Sequence, residues 1–204
     1  MGRPKERTPA LRDRMVDVAV SVLETDGVGA LTARRLASGA ETSVPAVYEL
    51  FGDKGGLVRE VFFEGFRMLG QHLDRLAETA DPRSDLVAVL RAVRSFARDH
   101  PVITEVMFSR PFVDFDPGPE ETAAGRTVRE LIVGRVRRCR EAGLTLGDDT
   151  DVAHVLLALV QGLAAQEGAG WLGTSRASRD RRWDLAVGAV LDGLAGARPG
   201  TATG

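Results

Sequence analysis

The spacing of apolar residues limits this chain more than any other feature. They recur every three or four positions, and nowhere does an apolar-polar alternation last the length of a strand. Leu11, Met15, Val18, Ala19, Val22 and Leu23 open the pattern. Residues spaced in this way share one face of a helix, and that face must be buried against others. The rhythm returns in Leu57, Val61, Phe62, Leu69, Leu73 and Leu76, then in Leu86, Leu90, Val93 and Phe96. Val102, Ile103, Val106 and Met107 make a short helical stretch, and three longer ones lie near 120–142, 150–168 and 181–195. Helix-ending residues separate these stretches: Gly27, Gly52, Asp81-Pro82, His100-Pro101 and the Pro-rich run 110–119. The reading is an all-α chain of about nine helices, without internal repeats.

Composition narrows the function classes. Hydrophobic residues make up 44% and charged residues 27% of the 204, ordinary for a soluble protein with a real core. A net charge of -2 rules out binding a polyanion by bulk charge. Cations nevertheless crowd one end, where Arg3, Lys5, Arg7, Arg12 and Arg14 face only Glu6 and Asp13. Phosphate attraction is local, so such a tip can dock on nucleic acid. The single cysteine, Cys139, forbids an intrachain disulfide and fits a reducing compartment. No stretch has the length and apolarity of a signal peptide or a membrane span, so the expected location is cytoplasmic, with no membrane partner.

Residues 31–54 are the most informative segment. Thr32 and Ser43 are helix N-caps, and Pro45 is tolerated in the first turn that follows. Gly39-Ala40 is small enough for two short helices to cross closely, which makes a helix-turn-helix. Leu36, Ala37, Val47, Leu50 and Phe51 form its inside, and Val44, Pro45, Ala46, Tyr48 and Glu49 point outward. In such units the start of the second helix enters the DNA major groove. Asp53 caps the helix that follows.

The order of residues here, Leu-Thr-Ala-Arg-Arg-Leu-Ala from 31, then Ser43, Ala46, Tyr48, Phe51, Lys54 and Leu57, resembles the N-terminal signature of the TetR family of regulators. The match covers about residues 10–60, and only loose likeness continues beyond. The resemblance implies a helix-turn-helix DNA-binding domain over 1–56, a helical ligand-sensing and dimerisation domain over 57–198, and a disordered tail over 199–204. It implies a repressor that leaves a pseudo-palindromic operator when a small, largely apolar ligand binds the second domain. Thr32 would meet a phosphate through its hydroxyl and backbone amide, and Ser43 would open the reading helix. Arg34 would reach a phosphate or a guanine edge, and Arg35 a backbone or a carboxylate. Val44, Pro45 and Ala46 would make apolar groove contacts, while Tyr48 and Lys54 would hold phosphates. An arm of Arg3, Lys5 and Arg7 would lie on the backbone or in the minor groove. Phe66, Phe96, Met107 and Phe108, with Gln161 as the polar orienting group, would line the ligand cavity. Stripes on the last two long helices would form a homodimer: Val152, Val155, Leu156, Leu159, Val160 and Leu163 on one, Trp183, Val187, Val190, Leu191 and Leu194 on the other.

Three positions depart from the family pattern. Glu41-Thr42 stands where glycine and an aliphatic residue are usual, Leu50 replaces a common histidine, and Glu49 puts an anion near the DNA face. These departures keep a second reading open, a helical adaptor without DNA binding. An enzyme is disfavoured, because the chain has no nucleophile elbow, dinucleotide loop or Cys/His pairing. His72, His100 and His154 lack metal-ligand spacing, and Asp148, Asp149 and Asp151 read as a helix start. Neither a metal nor a cofactor is expected.

Overall fold

The computed structural model describes residues 9–108, 118–144 and 147–196. Among them are α-helices, one 3-10 turn at Val28–Ala30 and no strand, so the all-α expectation holds. Contacts divide the chain into two compact units. The first takes the chain up to Met68 and again over His100–Ala124; the second takes Leu69–Asp99 and the chain from Gly125 onward.

The first unit holds α1 (Pro9–Asp26), α2 (Ala33–Gly39), α3 (Val44–Phe51), most of α4 (Lys54–Leu73), α6 (Pro101–Phe108) and α7 (Pro119–Ala124). Met15, Ala19, Leu36 and Val61 are completely buried and form its core. Gly27 closes α1 in the left-handed region at φ 75°, with its amide donating to the Leu23 carbonyl at 3.1 Å. α1 packs against α6, and Glu24 near the end of α1 pairs with His100 at the start of α6.

The second unit is built on α5 (Pro82–Asp99), which packs against α8 (Arg126–Glu141) and α9 (Asp149–Gly168); α10 (Arg176–Gly196) packs on α9. Leu86, Val89, Leu90, Ile132, Leu156 and Val160 are completely buried. Its boundaries follow capping chemistry rather than apolar rhythm. Asp81 accepts the Ser84 amide at 3.0 Å, so α5 begins at Pro82, earlier than the apolar pattern near 85 suggests. Ser175 and Ser178 cap each other's amides, each at 3.2 Å, and α10 starts at Arg176 in a polar stretch with no periodicity to read. The stretch expected as one helix over 120–142 is two, broken at Gly125. Asp148 accepts from the Thr150 and Asp151 amides at the head of α9, as a helix start should.

Polar groups are also buried in this unit. Asp85, 4% exposed, accepts from the Thr79 amide at 2.8 Å and from Arg138 at 2.6 Å. The Thr79 amide, with Arg138, holds the Asp85 carboxyl down to about 2 against the opposing effect of burial. Arg94 forms a bidentate pair with Glu167 at 2.7 and 2.9 Å, meets Asp180 at 2.8 Å, and lies 4.7 Å from the centre of the Trp183 ring. The expected dimer stripes divide. Val152, Leu156, Val160, Trp183, Val187 and Leu191 are core within the chain, whereas Val155 is exposed and Leu159, Leu163, Val190 and Leu194 are half-buried. No helix among the described residues is long and apolar enough to cross a membrane.

Candidate nucleic-acid interface

The turn between α2 and α3 sets the presentation of α3. Gly39 lies so close to α1 that a Cβ there would meet Val18 Cγ1 at 2.6 Å, which explains the small residue. The Ala40 amide donates to the Leu36 carbonyl at 2.9 Å and that of Thr42 to Ala37 at 2.8 Å. Between them Glu41 sits at φ 52°, the left-handed region that favours glycine. The departure seen in the sequence is therefore a carbon-bearing residue in a conformation that costs about 1–2 kcal/mol without glycine. The chain adopts this turn and bears the cost.

Leu36, Ala37, Ala40, Val47 and Phe51 are buried inside the corner. The side chains expected on the outside are there. Pro45 and Glu49 are exposed, Val44 and Ala46 half-buried, and Tyr48 is 54% exposed, an unusual state for a large aromatic that only packs. Leu50 is half-buried at the edge of the core and offers no donor. Ser43 occupies the N-cap position of α3 without a side-chain cap bond. Thr32 caps α2, its Oγ1 accepting from the Arg35 amide at 3.2 Å. Asp53 caps α4 in the same way, accepting from the Gly56 amide at 2.9 Å.

A cleft of about 260 Å³ opens between these elements, with Thr32, Tyr48, Asp53 and Lys54 around Leu36 and Val47. Three residues expected to hold phosphates, from the start of α2, the middle of α3 and the start of α4, thus share one cleft. The caps take the Arg35 and Gly56 amides, and the remaining first-turn amides of α2 and α4 carry the positive end of the helix dipole, which suits an anion. Arg34 is exposed on α2 and Lys54 on α4, and neither makes an ion pair among the described residues.

Two cations are committed elsewhere. Arg35 pairs with Asp26 at the end of α1, so of its two expected partners it takes the carboxylate. Arg12, which its position in the sequence groups with the basic tip, pairs with Glu60, its Nε at 3.2 Å, and its guanidinium lies 5.7 Å from the Phe51 ring centre. It ties α1 to α3 and α4. No local pattern announces this, because Arg12 and Glu60 are 48 residues apart. Arg3, Lys5 and Arg7, and the tail over 199–204, lie outside the described residues.

Of the residues expected around a ligand, Phe66 and Phe108 are in edge contact at 5.7 Å between ring centres, and Met107 is buried in the same unit. Phe96 and Gln161 belong to the second unit, where Phe96 is buried beside the His72 ring and Gln161 is half-buried on α9.

Two family descriptions match the chain: "Bacterial regulatory proteins, tetR family" over residues 15–61, and "Tetracyclin repressor-like, C-terminal domain" over 86–190. The HTH-type transcriptional regulator Rv1816 of Mycobacterium tuberculosis (strain ATCC 25618 / H37Rv) is 24% identical over 151 residues, 72% of this chain and 63% of that protein. The chain thus spans less than two thirds of the length of this curated relative. Among solved structures, a protein of unknown function from Rhodococcus sp. RHA1 has 28% identity and a TM-score of 0.78, covering 95% of this chain and all (100%) of its own. AibR, solved in complex with isovaleryl coenzyme A and operator DNA, shares the fold at 16% identity and a TM-score of 0.64, over 92% of this chain and 99% of its own. Of these, the Mycobacterium protein is named a transcriptional regulator. With family descriptions matching both its N-terminal and its C-terminal parts, the chain belongs to the TetR family of DNA-binding transcriptional regulators.

Proposed function

We propose that this protein is a cytoplasmic, dimeric repressor that releases a pseudo-palindromic operator when a small, largely apolar effector binds. The carrying observation is the cleft that gathers Thr32, Tyr48 and Lys54 beside the outward face of α3. Thr32, Tyr48 and Lys54 grip phosphates and fix the register of α3, which carries no sequence information by itself. Arg34 reads a guanine edge, and Val44, Pro45 and Ala46, following Ser43, contact thymine methyls in the major groove. The exposed Val155 on α9 and Leu185 on α10, 51% and 72% exposed, support self-association through these two helices. A two-fold dimer sets the readers on half-sites roughly 34–36 Å apart or somewhat more.

The functional division falls near residue 56, with the chain over 57–198 sensing the effector, and Phe66, Met107 and Phe108 are the residues of the first unit that would meet it. α4 begins at Lys54 and continues beyond Met68 into the second unit, so an effector that prefers one tilt of this helix changes DNA affinity. By linkage, DNA weakens effector binding by the same factor. The AibR complex, which holds both operator DNA and an acyl-coenzyme A, is a precedent for one such fold serving both ligands. The test begins with selection of bound genomic fragments, then gel shifts at about 50 and about 200 mM salt and light scattering. A specific, salt-steep complex of a dimer is expected; a micromolar monomer, or no preferred fragment, contradicts the reading. Compounds from a thermal-shift screen are then added to the gel shift. Stabilisers that leave operator affinity unchanged overturn the repressor switch.

A further inference from the structure

A groove of about 190 Å³ runs between α5 and α10 in the second unit, with Val87, Leu90, Trp183, Val187 and Leu191 as its apolar walls. None of the residues proposed for the effector lines it. Two observations separate it from an ordinary surface crease. Trp183 is only 1% exposed, yet its indole Nε1–H has no acceptor among the described residues. A buried donor left unpaired is rare, because burial removes its water without replacing the bond. The groove also carries cations. Arg83 and Arg91 lie two helical turns apart on α5, flanking Val87, and both line it. Their partners Asp192 and Asp184 sit on α10, and these pairs are solvent-exposed; Arg91 and Asp184 have side chains 61% and 56% exposed. Exposed pairs of this kind hold weakly and exchange readily for another anion.

We infer that this groove is a binding site for a small monocarboxylic acid with a compact apolar body. The carboxylate displaces Asp184 from Arg91, and a small movement of the groove wall brings it to the Trp183 indole hydrogen, which is otherwise sealed from solvent. The body lies over Val87, Leu90, Val187 and Leu191. The volume is below the roughly 300–1,000 Å³ of ordinary ligand pockets, which limits the body to a single ring or a short branched chain. Arg94, already committed to Glu167 and Asp180, stays with the Trp183 ring as a fixed positive charge. This inference is independent of the operator reading, since its readout needs no DNA.

The test follows the two indole N–H resonances of the full-length protein labelled with 15N-tryptophan, assigned with Trp171→Phe, during titration with phenylacetate. The Trp183 resonance is expected to move saturably, and the same concentrations of benzyl alcohol to move it far less. Arg91→Gln should weaken phenylacetate at least tenfold, and Asp184→Asn, which frees Arg91, should tighten it severalfold. Gly188→Leu fills the groove. A Cβ at Gly188 meets nothing within 4 Å, and leucine favours a helix more than glycine does, so this variant folds and should abolish the shift. No saturable shift up to millimolar phenylacetate overturns the site. A shift that survives Gly188→Leu overturns its location, and equal affinity in Arg91→Gln overturns the carboxylate contact.

Discussion

The two units of this protein handle charge in opposite ways. In the first, Arg34 and Lys54 stand at the surface, and the corner that presents them is apolar inside. In the second, Asp85, Arg94 and Arg135 are buried, each with a charged partner more than fifty residues away in the chain. The reader keeps Arg34 and Lys54 available to an outside anion, whereas the scaffold uses its buried charges to fix which segments meet. A buried pair contributes little net stability compared with a well-packed apolar pair, but breaking it is costly, so such pairs act chiefly on the specificity of packing.

The largest expected effect breaks a scaffold pair. Glu167→Ala leaves Arg94 buried beside Asp180 alone and should cost about 3 kcal/mol in urea denaturation. Adding Arg94→Met should recover most of that loss. A cost below about 1 kcal/mol for Glu167→Ala erases the contrast between the units. Next come the reader residues, which should change DNA affinity and leave the denaturation midpoint in place. Arg34→Ala should cost about 1–3 kcal/mol of binding and relax preference at one base position, as measured by competition among operator variants. Tyr48→Ala should cost about 1–2 kcal/mol on all sequences alike. If either variant loses as much stability as affinity, the residue belongs to the scaffold instead.

Smaller again is the effect at the turn. Glu41→Gly removes the left-handed strain but loosens the unfolded chain, for a net stabilisation of about 0.5–1 kcal/mol. A loss of stability would mean that the Glu41 side chain contributes more than its backbone costs. The smallest effect is a difference between two pH profiles. The Asp85 carboxyl is lower in the folded protein, at about 2, than its usual 3.8. Its contribution is complete above the unfolded value and disappears as pH falls from about 4 to about 2. Asp85→Asn, which keeps an acceptor for the Thr79 amide, should narrow its melting-temperature gap to the wild type across that window. A gap that stays constant contradicts the assignment.

The same contrast explains what the sequence makes legible. The reader comes from 24 consecutive residues, 31–54, in which caps, turn and periodicity are all local signals. Those signals suffice to place Thr32, Asp53 and the outward Tyr48, whereas Glu41 is odd only against the pattern of the family that the segment resembles. The scaffold's polar contacts join residues far apart in the chain, Asp85 to Arg138 across 53 positions and Arg94 to Glu167 across 73. Periodicity identifies these helices but says nothing about which charges face inward. It also divides the α9 and α10 stripes poorly, because Val152 and Val155 look alike in sequence and only packing separates the buried one from the exposed one. Arg12 shows the same limit within the reader, since its tie to Glu60 and Phe51 removes a cation that composition assigns to phosphate.

The most direct test of the central claim is the salt dependence of operator binding, read by fluorescence anisotropy for the wild type and Lys54→Ala on a fragment selected from the genome. If the cleft of Thr32, Tyr48 and Lys54 holds a phosphate, log K falls steeply with log salt for the wild type, and Lys54→Ala flattens the slope by about 1 per bound subunit while preserving preference for the selected fragment. An unchanged slope, or a fragment bound no better than random DNA, contradicts it.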